Sequence, residues 1–233
     1  MSICQTPIIV AMDYPTSAAA LNLANQLDPK LCRVKVGKEL CINGATEIVK
    51  TLSDKYFEVF LDLKFHDIPN TTALAVKAAT EMGVWMVSVH CSGGLRMMSA
   101  CREVLEQYTG QKPLLIGVTV LTSMKREDLA EIGLDIEPQE QVLRLAALAR
   151  RAGFDGLVCS ALEVPALKAA YPELQVVTPG IRQAGSTQDD HRRIFTPRQA
   201  LDAGSDYLVI GRPISQVVDP AQALAEIVAS IAV

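Results

Sequence analysis

Eight short runs of apolar residues, many of them β-branched, recur along this chain of 233 residues. The predicted strands are Ile8–Met12, Arg33–Gly37, Val59–Phe65, Trp85–His90, Leu114–Val120, Gly156–Ser160, Gln175–Gly180 and Tyr207–Gly211. The segments between them carry apolar residues at helical spacing, among them Ser17–Leu27, Thr71–Met82, Gln139–Ala152 and Ala221–Ile231. Strands that alternate with helices pair in parallel through right-handed crossovers. The pattern therefore predicts a (β/α)8 TIM barrel, with an open doubly wound sheet as the structural alternative.

The composition favours one globular domain over residues 1–233, since 49% of the residues are hydrophobic and 21% are charged. A net charge of −4 and 5% aromatic residues argue against nucleic acid as a partner. No apolar run approaches the ~20 residues of a membrane span, and no signal peptide precedes the first strand, so we expect a cytoplasmic protein. The six cysteines form no CxxC pair and the three histidines lie far apart, which predicts reduced thiols and no metal site.

Charged residues stand inside strands that should be buried on both faces. Lys35 lies near the end of the second predicted strand, and Asp62 and Lys64 lie two residues apart in the third. With strict alternation the latter two share one side of the strand, and active sites of such barrels occupy the carboxyl ends of the strands. Asp67 and Asp13 follow the third and first strands. The alternatives are a buried ion pair that only fixes register, and ordinary helix caps at the two aspartates.

A second signal follows the eighth predicted strand, where Gly211 and Arg212 precede a helix start. Barrels of this class often bind phosphate with the loops after strands seven and eight, and a guanidinium group binds phosphate in a bidentate manner. Arg182 opens a long irregular segment, 181–195, after the seventh strand. We expect a phosphate site here and a lid over it, with a mobile surface excursion as the alternative for the segment.

Several motifs resemble the bacterial form of the orotidine 5′-phosphate decarboxylase family, and the likeness covers nearly the whole chain. They are DLKFHDIPNT at 62–71, AMDY at 11–14, LCRVKVGKE at 31–39, VTVLTS at 118–123, VTPGIR at 177–182 and VIGRP at 209–213. The first of these is highly specific, whereas many phosphate-binding barrels share the last.

The resemblance implies a homodimeric carboxy-lyase that converts orotidine 5′-monophosphate to UMP and CO2 in de novo pyrimidine synthesis, without metal or organic cofactor. It implies a charged array of Lys35, Asp62, Lys64 and Asp67, with Lys64 as the proton donor to C6 and Asp67 reaching the active site of the opposite subunit. The other implied contacts are Asp13, Lys35 and the partner's Thr71 at the ribose hydroxyls, Ile68 beside them, Thr122 and Ser123 at the pyrimidine or the loop above it, and Arg182, Gly211 and Arg212 at the phosphate.

The sequence departs from that family at residue 191. The bacterial pattern has a glutamine there, which contacts the ligand, whereas this chain has His191 between Asp190 and Arg192. A neutral histidine donates one hydrogen bond and a charged one donates two, so the contact is expected to become sensitive to pH.

Two other functions remain open at this point. A 3-keto-gulonate 6-phosphate decarboxylase or hexulose-phosphate synthase has the same Asp-x-Lys-x-x-Asp core and uses Mg²⁺ to stabilise an enediolate. A catalytically silent nucleotide-binding barrel is the third possibility. The crowding of two carboxylates beside an anionic ligand disfavours it, because a pure binder gains nothing from that repulsion.

Overall fold

The chain closes into a barrel of eight parallel strands in the order β1 to β8, in which β8 pairs with β1. The structure is a computed structural model, and it describes residues 3–43, 46–182 and 195–232. The strands are β1 Ile8–Met12, β2 Arg33–Val36, β3 Val59–Phe65, β4 Met86–His90, β5 Leu114–Val118, β6 Gly156–Val158, β7 Gln175–Thr178 and β8 Tyr207–Ile210. Closure through β1 and β8 confirms the predicted barrel and rules out an open doubly wound sheet.

Eleven α-helices lie in the described ranges, on the outside of the strands. They are α1 Ser17–Ala24, α2 Lys38–Ile42, α3 Thr46–Asp54, α4 Pro69–Glu81, α5 Gly94–Glu106, α6 Arg126–Glu131, α7 Pro138–Arg151, α8 Val164–Ala170, α9 Pro197–Asp202, α10 Arg212–Ser215 and α11 Pro220–Ile231. Helix α4 begins two residues before the predicted start at Thr71, because Pro69 occupies the first helical position, where its fixed φ is favourable. None of these helices is long and apolar enough to cross a membrane.

Apolar side chains form two clusters, one on each side of the strand layer. The inner cluster fills the barrel with Ile9, Ala11, Phe60, Met86, Ile116, Val177 and Val209. The outer cluster is larger and joins the opposite faces of the strands to the helices. The barrel is therefore a packed core rather than a pore, as expected for eight strands.

Arg33 lies at the amino-terminal end of this inner core. Its guanidinium carbon lies 4.4 Å from the ring centroid of Trp85 and 5.3 Å from that of Tyr207, and its Nε lies 2.8 Å from Glu58 Oε2. Stacking and ion pairing together hold this buried charge. Two residues further along β2, Lys35 lies at the opposite end of the barrel, where the cavity opens.

Candidate active site

A cavity of about 520 Å³ lies at the carboxyl ends of the strands. Nine residues predicted from the sequence line it: Asp13, Lys35, Asp62, Lys64, Thr122, Ser123, Arg182, Gly211 and Arg212. The walls also include residues that the sequence did not single out, among them Phe60, Val118, Val158, Pro179 and Gln216. Apolar walls with a few converging polar groups are typical of a small-molecule site. The cavity thus gathers most of the predicted site into one place.

Four of these residues form a chain of alternating charge. Lys35 Nζ lies 3.1 Å from Asp13 Oδ1 and 3.8 Å from Asp62 Oδ2, and Lys64 Nζ lies 2.6 Å from Asp62 Oδ2. The side chain of Lys64 is 28% exposed, against 10% for Asp62. The Asp62–Lys64 ion pair is therefore open to a ligand on the lysine side, rather than sealed in the core.

The carboxyl group of Asp62 remains ionised despite its burial. Burial alone would raise the pKa of Asp62, but the ammonium groups of Lys35 and Lys64 and the hydrogen bonds from Lys64 and Ser88 outweigh it and lower the pKa. The carboxylate in turn gives both lysines a nearby negative charge. The two ammonium groups thus share one carboxylate in the wall of the cavity.

Lys64 reaches the cavity through an irregular part of β3. The register between β3 and β4 shifts between Leu61 and Phe65, and Lys64 has φ of 52°, in the left-handed region. The expectation that Asp62 and Lys64 both face the cavity is met, but the strict two-residue alternation behind it does not hold here. A bulge and a backbone conformation uncommon for residues other than glycine direct the ammonium group.

Ser88 on β4 holds this bulge, and the sequence analysis missed it. Its Oγ donates to Asp62 Oδ1 at 2.8 Å and accepts from the Lys64 backbone N–H at 2.9 Å. Ser88 is fully buried. The sequence feature that could have identified Ser88 is its hydroxyl group, which stands alone in the apolar run from Met86 to Val89.

Asp67, Ile68 and Thr71 do not line the cavity of their own chain. All three are exposed, Ile68 at 66%. Asp67 Oδ1 accepts a hydrogen bond from the Ile68 N–H at 2.6 Å, next to the start of α4. The residue that caps α4 is Ile68, and no side chain bonds to the first turn there, so the alternative of an ordinary helix cap at Asp67 is wrong.

Two arginines lie on the part of the cavity formed by β7 and β8. Arg212 begins α10 directly after Gly211, and Arg182 is 7% exposed and donates through Nη1 to its neighbour's carbonyl oxygen, that of Ile181, at 2.9 Å. The ends of the segment 181–195 meet at a bridge between Ile181 and Phe195. The lid and the ligand contact predicted for His191 lie outside the described residues.

Within the described ranges, no three His, Cys, Asp or Glu side chains converge in a way that would hold a metal ion. His90 and Cys91 are adjacent in the sequence and are the pair of residues that most resembles part of a zinc-binding set. Burial raises the pKa of the Cys91 thiol to about 12, so it stays protonated and is a poor metal ligand. Burial, His66, Lys38 and Lys64 together lower the pKa of His90 to about 4, although Asp62 acts in the opposite direction.

Comparison with known proteins was made on sequence and on structure. The family model described as Orotidine 5′-phosphate decarboxylase / HUMPS family matches residues 6–227. Orotidine 5′-phosphate decarboxylase of Pseudomonas fluorescens strain SBW25 is 82% identical over the whole of both chains, and that of Pseudomonas putida strain GB-1 is 79% identical over 99% of each. The crystal structure of orotidine 5′-phosphate decarboxylase from Lactobacillus acidophilus superposes with a TM-score of 0.87 at 34% identity, covering 98% of this chain and 100% of that one.

Proposed function

The chain belongs to the orotidine 5′-phosphate decarboxylase / HUMPS family, and on this premise we propose that it is a carboxy-lyase that converts orotidine 5′-monophosphate to UMP and CO2 in pyrimidine biosynthesis. The observation that carries the proposal is the placement of charge in one cavity. The ammonium group of Lys64, paired with Asp62, and the arginines Arg182 and Arg212 line the same space. Orotidine 5′-monophosphate has a carboxylate on its ring and a phosphate at its other end. The ring end requires a proton donor such as Lys64, and the phosphate requires cationic groups such as the two arginines.

Lys64 is the proton donor in this mechanism. Loss of CO2 from C6 leaves a carbanion that the ring delocalises poorly, so the catalyst must place positive charge and a proton at C6. Lys64 supplies both from the wall of the cavity, where its ammonium group lies 2.6 Å from Asp62 Oδ2. No organic cofactor or metal is needed for this step.

Asp62 has a second role beside the substrate carboxylate. Its ionised oxygens repel that carboxylate in the ground state, and the repulsion falls as neutral CO2 departs. Lys35 lies between Asp62 and Asp13 and forms an ion pair with each of them. We assign Asp13 and Lys35 to the ribose hydroxyls, where a carboxylate accepts and an ammonium donates.

The remaining contacts orient the nucleotide. Arg182, Arg212 and the backbone of Gly211 bind the phosphate, and Thr122 and Ser123 contact the pyrimidine or the loop above it. The phosphate lies far from the bond that breaks, so its binding energy serves to position the substrate and to close the site. We assign the closing role to the segment 181–195, with His191 in it as a ligand contact.

The proposed active enzyme is a homodimer in which each site is completed by the other subunit. Asp67, Ile68 and Thr71 are exposed and do not line the cavity of their own chain, which supports this proposal. Across a two-fold interface, Asp67 extends the charged array beyond Lys64, and Thr71 and Ile68 border the ribose. An interface that repeats the same patch on both subunits gives two equivalent sites.

A spectrophotometric assay of orotidine 5′-monophosphate loss on protein stripped with EDTA tests the function. We expect full turnover without added metal, with UMP as the product. A requirement for Mg²⁺ favours the enediolate chemistry of the 3-keto-gulonate 6-phosphate decarboxylase type, and binding of UMP without turnover favours a silent nucleotide-binding barrel. We further propose a cytoplasmic location, which the free thiols of Cys32, Cys41, Cys91, Cys101 and Cys159 support.

A further inference from the structure

Ser88 is the polar side chain that joins the two essential parts of the charged array from the neighbouring strand. Its hydroxyl group donates a hydrogen bond to Asp62 Oδ1 and accepts one from the backbone N–H of Lys64. It therefore touches the carboxylate of one residue and the backbone of the other, while being fully buried at 0% exposure. It does not line the cavity.

We propose that Ser88 is a positioning residue for decarboxylation, whose hydroxyl fixes the Lys64 ammonium group and the Asp62 carboxylate in their reactive arrangement. The inference rests on the function proposed above, and it adds a residue that contacts the catalytic groups without contacting the substrate.

The backbone of Lys64 is the first reason. A backbone φ of 52° is intrinsically unfavourable for a lysine. Residues other than glycine keep this left-handed conformation only where the surrounding structure enforces it. The register shift between Leu61 and Phe65 removes Lys64 from the regular ladder. The hydroxyl of Ser88 gives the Lys64 N–H the acceptor that the interrupted ladder does not, and so it sets the direction in which the lysine side chain leaves the strand.

The state of the carboxylate is the second reason. The two carboxylate oxygens of Asp62 have different partners. Oδ1 accepts from Ser88, and Oδ2 faces the ammonium groups of Lys64 and Lys35. The hydrogen bond from Ser88 therefore fixes the rotation of the carboxylate that aims Oδ2 at both ammonium groups. It is also one of the interactions that lower the pKa of Asp62, although burial opposes them and the two lysines contribute more.

The test compares Ser88→Ala with Ser88→Thr and with a matched control. Ser88→Ala removes the hydroxyl without adding volume, and Ser88→Thr retains it. Ser205→Ala is the control, because Ser205 is also buried, at 6% exposure, and its hydroxyl bonds to Thr178 at 2.7 Å, away from the array. All variants are assayed for kcat and KM and for UMP affinity, and kcat is referred to the folded fraction.

We expect Ser88→Ala to lower kcat about 10- to 100-fold, the size of one hydrogen bond to a charged group, while UMP affinity stays within about threefold of the parent. The acid side of the kcat/KM profile moves to higher pH, and Ser88→Thr recovers most of the kcat. Ser205→Ala keeps the parent's kcat and its pH profile.

The inference alone is overturned if the parent is active and Ser88→Ala matches Ser205→Ala in kcat and in pH profile. It is equally overturned if UMP affinity falls as far as kcat, because the hydroxyl would then serve the fold of the whole cavity. A parent that does not turn over orotidine 5′-monophosphate overturns the proposed function, and the inference falls with it.

Discussion

Replacing Asp62 with asparagine removes one charge from the centre of the array and keeps the shape of the side chain. With its carbonyl oxygen accepting from Ser88, the amide places an NH2 group, which is a donor, where Oδ2 faced the two ammonium groups. The array contains two ammonium groups and two carboxylates in one chain, Lys35 and Lys64 with Asp13 and Asp62. The substitution leaves Lys35 with Asp13 but takes from Lys64 its partner at 2.6 Å.

The expected loss follows from the burial of this pair. The Asp62 side chain is 10% exposed, and removing one partner of a buried ion pair costs about 3–5 kcal/mol. If this energy is lost from the arrangement of the ammonium group, kcat falls about 150- to 4,000-fold, since each 1.4 kcal/mol is a factor of about ten. The variant also lacks the Asp62 carboxyl group, whose pKa is lowered in the parent, so a loss of kcat at low pH that comes from protonation of this carboxylate is absent from the variant.

Steady-state kinetics across pH measure both effects, and Asp206→Asn is the control. Asp206 Oδ2 lies 2.7 Å from Lys168 Nζ and accepts the Val176 N–H at 2.6 Å, at the amino-terminal end of the strands. The control should lose stability in urea without losing kcat. A folded Asp62→Asn enzyme with kcat within about threefold of the parent would refute the electrostatic role of Asp62.

Three further predictions concern the subunit interface, the phosphate and a buried histidine. Lys64→Ala and Asp67→Asn are each expected to be inactive, yet after subunit exchange their mixture should recover about a quarter of the parent activity, because half of the dimers then hold one intact site of two; no recovery contradicts a shared site. Arg212→Ala should lower kcat/KM about 10- to 100-fold, mainly through KM, with an unchanged circular dichroism spectrum, and an unchanged kcat/KM would remove its phosphate role. The pKa of His90 is about 4 when folded and 6.5 in the reference state, so unfolding takes up a proton between these values and stability falls as the pH drops from 6.5 towards 4. Since His90 is only partly buried, we expect about 1 kcal/mol less stability at pH 5 than at pH 7 from this group, and urea unfolding of His90→Asn should show a shallower dependence; equal slopes would disprove the effect.

The barrel was predictable because its strands are apolar runs and their order in the chain is their order in the sheet. The positions of the strands were confirmed, although β5, β6 and β7 end two residues before the predicted Val120, Ser160 and Gly180. Val120 and Gly180 line the cavity instead of extending the ladder. Gly180 has φ of 82°, outside the extended region, which ends the strand there, and a positive φ at a glycine is not visible in an apolar run of the sequence.

The charged site was predictable as a set of residues but not as a geometry. Charges inside buried strands identified Lys35, Asp62 and Lys64 before any neighbour was known. The bulge at Lys64 and the role of Ser88 depend on the register between β3 and β4. Register is a relation between two strands, and a pattern within either strand does not contain it.

The partners of Arg33 show the same limit at the other end of the barrel. Trp85 directly precedes β4, and Tyr207 begins β8. These two strands lie on opposite sides of β2 in the barrel but are distant from it in sequence, and both rings contact Arg33. The pairing of β8 with β1 brings Tyr207 to the guanidinium group, whereas Trp85 reaches it across β3. In the sequence, Arg33 is only the start of a predicted strand, with no indication of these contacts.

The central claim is that the Lys64 ammonium group delivers the proton to C6 as CO2 leaves. A single-turnover experiment with Lys64→Ala measures it most directly, with Lys168→Ala as a lysine control at the far end of the barrel. The account predicts that CO2 release slows by at least about 10³-fold, that UMP still binds, and that Lys168→Ala turns over at the parent's rate. CO2 release by folded Lys64→Ala within about tenfold of the parent would contradict it.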